Sequence, residues 1–307
     1  MTTATRLIPY LLLSLAGAAV AQTTQPVAIP RTEQFDVLGP GGKTYRITIA
    51  TPRERQPDAG YAVFYQLDAN AGFATAVEAV RFQQNNVPAL VVGIHHPQEK
   101  LDQARRYKDY TPHTSQENLA IRRLTPGSEG YVEPGGTGGQ DEFLAFLETT
   151  VKPAIAARYK TDPTREAIFG HSLSARFVLH VLATRPEAFD YYLAASPSVW
   201  WDKGSVIGEI ERFVQTPDAK KPAGVMITVG EYEQKPSPGT PPDRAAFFAA
   251  AKMVDNAKLV ADKLKAAGVR TMFVEYPDEN HGTVLPAAIS RGVRFAFGPG
   301  PATQPSR

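Results

Sequence analysis

The sequence predicts an α/β domain with a mainly parallel central sheet and helices on both faces. Three observations predict it. Short, almost unbroken apolar runs recur along the chain, as in strands buried on both sides. Helical patterns fall between these runs, the alternation that builds a parallel sheet. At Gly170-His171-Ser172-Leu173-Ser174 one apolar run passes through a tight turn directly into a helix.

Taken in order, the chain opens with Arg6, an apolar stretch Leu7–Ala19 interrupted by Pro9, and Ala19-Val20-Ala21. That is the layout of a secretory signal peptide over residues 1–21, with Gln22 as the first mature residue. A membrane anchor is the rival reading, but a spanning helix needs about 20 apolar residues and this run is shorter. Residues 22–34 are polar, contain two prolines and read as a linker into a domain spanning 35–297. Strands are predicted over Thr44–Ile49, Tyr61–Leu67 and Pro88–Ile94, with a helix from Phe73 to Phe82. Residues 98–140 are the least regular part and read as a functional loop or lid ending in Gly135-Gly136-Thr137-Gly138-Gly139. An amphipathic helix follows over Asp141–Tyr159, with a kink or break near Pro153. Strands at Glu166–Phe169, Tyr191–Ala195, Val225–Val229 and Thr271–Tyr276 then alternate with helices at Ser174–Thr184, Asp255–Ala267 and Ala287–Phe297. Residues 298–307 read as a disordered tail.

Composition narrows the function. Hydrophobic residues make up 43% of the 307, enough for a sizeable core, and the formal charge is only +2. Without a basic stripe, nucleic acid is not an expected partner. Cysteine is absent, so thiol catalysis and thiolate metal sites are excluded. An exported chain of this kind must draw its stability from burial. No stable membrane insertion is expected once the leader is removed.

The strand–turn–helix at Ser172 is the context of a nucleophile elbow, where a strained turn exposes a serine hydroxyl beside a helix N-terminus. An ordinary N-cap serine is the alternative. Chain order decides between them: the elbow requires an acid and then a histidine downstream. Only His180 and His281 follow Ser172. His180 lies two turns down the elbow helix, whereas His281 sits in a loop after the last strand, where the general base belongs. For the acid, Glu233 comes first, in the loop leaving the Val225–Val229 strand, with Glu231 second and Asp202 third. The oxyanion hole needs two backbone N–H groups. Leu173 is the expected first donor and Ala69, in Leu67-Asp68-Ala69-Asn70, the second. His95-His96 do not read as a metal site, because neighbouring strand residues point to opposite faces. Trp200 and Trp201 fit either core packing or an aromatic pocket wall. Arg106 fits either contact with an anionic substrate or, slightly better, an ion pair with Asp109.

These segments resemble the putative esterase family that includes esterase D and the enterochelin-type siderophore esterases. The likeness runs from about Phe35 to Phe297. It rests on Leu67-Asp68-Ala69-Asn70, the Arg106–Pro112 segment, the Phe143–Tyr159 helix, the elbow, Ser196-Pro197-Ser198-Val199-Trp200-Trp201-Asp202, Val229–Glu233 and Glu279-Asn280-His281-Gly282. The resemblance implies a single α/β-hydrolase domain that needs no cofactor. It also implies ester hydrolysis through an acyl-enzyme, with Ser172 as nucleophile, His281 as base, Glu233 as acid and a small-molecule ester as substrate. An acyltransferase, or an inactive ligand-binding homologue, is the alternative. The main departure is Ser174-Ala175, where the family usually has two glycines.

Overall fold

A computed structural model describes residues 24, 26–83, 87–119, 136–237 and 239–299. The expected leader 1–21, the end of the expected tail and Gly135 of the glycine run lie outside them. The chain divides into two units, 1–30 and 31–307. The described residues of the first contain no helix or strand.

In the second unit, eight strands of the described residues form one sheet: β1 (Thr32–Leu38), β2 (Thr44–Ala50), β3 (Tyr61–Leu67), β4 (Ala89–His95), β5 (Thr161–His171), β6 (Tyr191–Ala195), β7 (Gly224–Gly230) and β8 (Thr271–Tyr276). Their spatial order is β1-β2-β4-β3-β5-β6-β7-β8. β1 and β2 pair antiparallel, as do β2 and β4, and every later pairing is parallel. Between β3 and β8 the strands therefore run the same way, and their C-terminal ends form one rim, where ligands of such sheets bind.

Two layers of helix cover the sheet. On one face lie α1 (Phe73–Phe82) and α9 (Val284–Phe297), and α9 packs on β5, β6 and β7. Here Phe64 stacks on Phe169 at 5.8 Å and meets Phe297 edge-on at 6.4 Å. The other face holds the larger core, in which Tyr65, Ile168, Tyr192 and Ile227 pack with α5 (Leu173–Thr184), α6 (Ser205–Gln215) and α8 (Met253–Ala266). Adjacent strand residues thus serve opposite layers, which is why these runs are apolar without alternation. The α/β-hydrolase fold expected from the sequence is the fold observed. No helix among the described residues is long and apolar enough to cross a membrane.

The differences from the sequence reading have physical causes. β1 begins at Thr32, ahead of the expected domain start at Phe35, because it is an antiparallel edge strand and can carry polar residues. β5 begins at Thr161, through polar residues that read as loop, with a register shift against β3. Within the stretch read as irregular lies α2 (Gln103–Tyr110), whose Asp102 cap accepts from the Arg105 N–H at 3.1 Å. It buries Arg106 and Asp109 along with Tyr110, so it shows no apolar stripe. The helix expected over Asp141–Tyr159 is α3 (Gln140–Phe146), a π-helical turn at Leu147–Val151 and α4 (Lys152–Ala156). Pro153 cannot donate and crowds the turn before it, which widens the winding there. α6 and α7 (Pro242–Ala251) are helices the sequence reading did not single out.

Candidate active site

The site lies on the rim formed by the ends of β3, β5, β6, β7 and β8. At the end of β5, Ser172 adopts φ 64° and ψ −117°, a conformation that costs a non-glycine residue energy and persists only where surrounding contacts impose it. Here they do. The Ser172 N–H donates to the Ala195 carbonyl at 3.0 Å, and its own carbonyl accepts from Arg176 and Ser198. The backbone doubles back so tightly that a Cβ on Gly170 would lie 2.3 Å from the Ser174 carbonyl oxygen. Glycine is obligatory there.

His281 stands between β8 and α9. Its Nε2 is 3.0 Å from Ser172 Oγ and its Nδ1 is 2.6 Å from Glu233 Oε2. In the neutral ring, Nδ1–H donates to the carboxylate and Nε2 accepts the serine hydroxyl. Glu233 ends a short 3-10 turn after β7 and is fully buried. Its Oε1 accepts from Ser196 Oγ at 2.5 Å and from the Gly230 N–H at 2.7 Å. Burial by itself would raise the pKa of this carboxyl. The hydrogen bonds from His281, Ser196 and Gly230, with the charge of His281, outweigh burial and hold it below the ordinary carboxylate value. Gly230 also lets the two loops meet: a Cβ there would be 2.4 Å from the Glu279 carbonyl oxygen.

The three candidate carboxylates separate clearly. Glu231 accepts from the Asp278 N–H at 3.3 Å, and Asp202 accepts from Asn118 Nδ2 at 2.7 Å. Only Glu233 is hydrogen-bonded to the imidazole.

Leu173 is the first residue of α5, so its N–H has no acceptor within the helix. Ala69 opens a 3-10 turn directly after β3 and is buried. The preceding Asp68 has φ 53° and receives Arg106 Nη2 at 2.9 Å, Tyr110 Oη at 3.3 Å and Ser174 Oγ at 2.7 Å. This corrects the expected pairing of Arg106 with Asp109. Asp109 instead receives Tyr45 Oη at 2.8 Å and His96 Nε2 at 3.1 Å. Arg106 is buried, and it also donates to Gln103 Oε1 and the His171 carbonyl. It therefore braces the rim from beneath. A ligand would have to displace Asp68 to reach its guanidinium.

Of the two tryptophans, Trp201 is core: it is fully buried, stacks on Tyr107 at 5.5 Å and donates to Thr114 Oγ1 at 3.0 Å. Trp200 is only partly buried and meets Phe247 of α7 edge-on at 5.5 Å.

Sequence reasoning missed the contribution of His171. Its Nε2 is 2.7 Å from the His281 carbonyl and the two rings are 4.7 Å apart. Desolvation, and then the neighbouring His281, lower its pKa to about 3. His171 is therefore neutral and donates to that carbonyl. Its place beside the elbow serine was the only available signal.

Comparison with known proteins identifies the family of the chain. The family model described as "Putative esterase" matches residues 41–282. The ferri-bacillibactin esterase BesA of Bacillus subtilis is 37% identical over 288 residues, covering 90% of this chain and 93% of that protein. The siderophore triacetylfusarinine C esterase of Aspergillus fumigatus is 32% identical over 294 residues, covering 89% and 95%. The solved structure of siderophore hydrolase EstB from Aspergillus nidulans superposes with a TM-score of 0.76 at 29% identity, over 92% of this chain and 100% of that one.

Proposed function

Since the chain belongs to the putative esterase family, we propose that it is an exported serine ester hydrolase that cleaves a siderophore ester through an acyl-enzyme. The observation that carries this reading is the unbroken chain of hydrogen bonds from Ser172 Oγ through His281 to Glu233 Oε2. Ser172 attacks the ester carbonyl while His281 takes its proton, and Glu233 stabilises the resulting imidazolium. The Leu173 and Ala69 N–H groups donate to the developing oxyanion. His281 then protonates the departing alkoxide, which leaves as an alcohol. Water, deprotonated by His281, attacks the acyl-Ser172 ester and releases the acid. Trp200, partly exposed two residues after Ser198, forms one wall for the substrate.

The siderophore ester comes from the relatives, which are named for ferri-bacillibactin and triacetylfusarinine C. Export rests on the leader pattern ending at Ala21, with the mature chain starting at Gln22.

The test is hydrolysis of both named siderophores and of p-nitrophenyl acetate, followed by mass spectrometry. One water should be added per bond cleaved, and Ser172→Ala should be inactive while still folding. A fluorophosphonate should label Ser172 alone. No cleavage of either siderophore would overturn the substrate class. Product formed only with an added alcohol acceptor would make the enzyme an acyltransferase.

A further inference from the structure

The tripeptide Ser196-Pro197-Ser198, which follows β6, touches both ends of the hydrogen-bonded chain. Ser196 is fully buried with φ 48°, and its N–H donates to the Thr228 carbonyl at 2.7 Å. Its hydroxyl donates to Glu233 Oε1 at 2.5 Å. Two residues on, the Ser198 N–H donates to the Ser172 carbonyl at 3.1 Å, and Ser198 Oγ lies 3.3 Å from Ser172 Oγ. Ser172 directs its one hydroxyl proton to His281 Nε2, so between the two serines Ser198 is the donor. Pro197 fixes its own φ and makes the link between the two hydroxyls stiff.

We propose that Ser196 and Ser198 are positioning residues, through which one tripeptide sets the geometry at both ends of the site. Ser196 holds the carboxylate so that Oε2 faces the imidazole, and Ser198 holds Ser172 Oγ toward His281. This rests on the reading of Ser172 as nucleophile and Glu233 as acid.

The physical consequences differ at the two ends. With Ser196 present, Glu233 Oε1 has two donors; without it, Gly230 alone remains. The carboxylate charge then acts more strongly on the imidazole and favours its protonated form. The other titratable groups near the pair are the neutral His171 ring with Arg106 behind it, and Glu231, Asp278 and Glu279 on the two loops that carry Glu233 and His281; none of them changes with this substitution. At the other end, loss of Ser198 frees Ser172 Oγ to rotate away from His281. That costs rate at the chemical step without weakening substrate binding.

The experiment measures kcat and KM for p-nitrophenyl acetate against pH, using the full chain. Ser196→Ala and Ser196→Gly should both move the acid limb of the kcat/KM profile to higher pH. The glycine variant suits the positive φ, so folding is retained. Ser198→Ala should lower kcat about ten-fold, with KM changed by less than roughly two-fold. An unmoved acid limb in both Ser196 variants, or an unchanged kcat in Ser198→Ala, would overturn the proposal. Ser172→Ala is run alongside. If it remains active, the nucleophile reading fails; if it is dead while the other variants match wild type, only the positioning role fails.

Discussion

The hydroxyl of Ser174 donates a 2.7 Å hydrogen bond to Oδ2 of Asp68, and so ties the turn beneath Ser172 to the loop that carries Ala69. The same hydroxyl accepts from the His171 N–H at 2.9 Å. Ser174 therefore acts as a strut between two loops of the candidate site.

That strut and its ion pair have an expected cost of removal. Arg106→Met would leave the Asp68 carboxylate buried with only hydroxyl donors, and should destabilise the fold by about 3–5 kcal/mol. Ser174→Ala removes one hydrogen bond to a charged group, which should cost about 1–3 kcal/mol. Urea denaturation reads both. Wild-type stability in Arg106→Met would show that the ion pair does not support the rim.

Glu233→Gln should lower kcat strongly with little change in KM. Loss of the orienting carboxylate costs on the order of 10⁴ in a serine protease triad, and the loss here should be smaller because glutamine can still accept from the imidazole. Glu231→Gln and Asp202→Asn should each be mild, since neither carboxylate bonds His281. A larger loss in either one would move the acid away from Glu233.

Gly170→Ala should be the most damaging single methyl in the elbow. The added carbon would lie 2.3 Å from the Ser174 carbonyl oxygen, a backbone atom that cannot swing aside. The turn must open, so destabilisation by about 1–3 kcal/mol or more should accompany loss of fluorophosphonate labelling. Full labelling at wild-type stability would mean that the turn is looser than its geometry indicates.

His171 makes stability depend on pH. Its pKa falls from 6.5 in the unfolded chain to about 3 in the folded one, so between those values the unfolded state binds the extra proton. Its contribution is full above about pH 6.5 and is lost as pH falls toward about 3. His171→Gln can still donate to the His281 carbonyl but has no proton to gain, so the fall in denaturation midpoint over that window should be shallower. An unchanged slope would assign the acid sensitivity to other groups.

Much of this protein is local, and what is local was legible. The apolar runs of β3, β4, β6 and β7 declare themselves because each strand is buried on both faces. Ser172 was visible as a candidate because a strand, a small-residue turn and a helix are contiguous, and His281 because chain order in this fold leaves few positions for a candidate base. Glu233 ranked first on loop position alone. The helix α2 stayed hidden because it buries charge, and burial of charge leaves no hydrophobic period to detect. The partner of Arg106 was misread for a related reason. Asp109 is near in sequence, but Asp68 is brought to it by the sheet, from 38 residues away. The roles given to Ser174, Ser196 and Ser198 are of the same kind. A small hydroxyl residue looks alike in a loop or in a core until the fold supplies the oxygen it bonds. The sequence by itself determined the alternation of strands and helices along the chain, apart from α2, α6 and α7, and the residue types at the rim. Only the tertiary structure decided which buried donor meets which acceptor, because those pairs are set by strand order and loop approach, which no local pattern encodes.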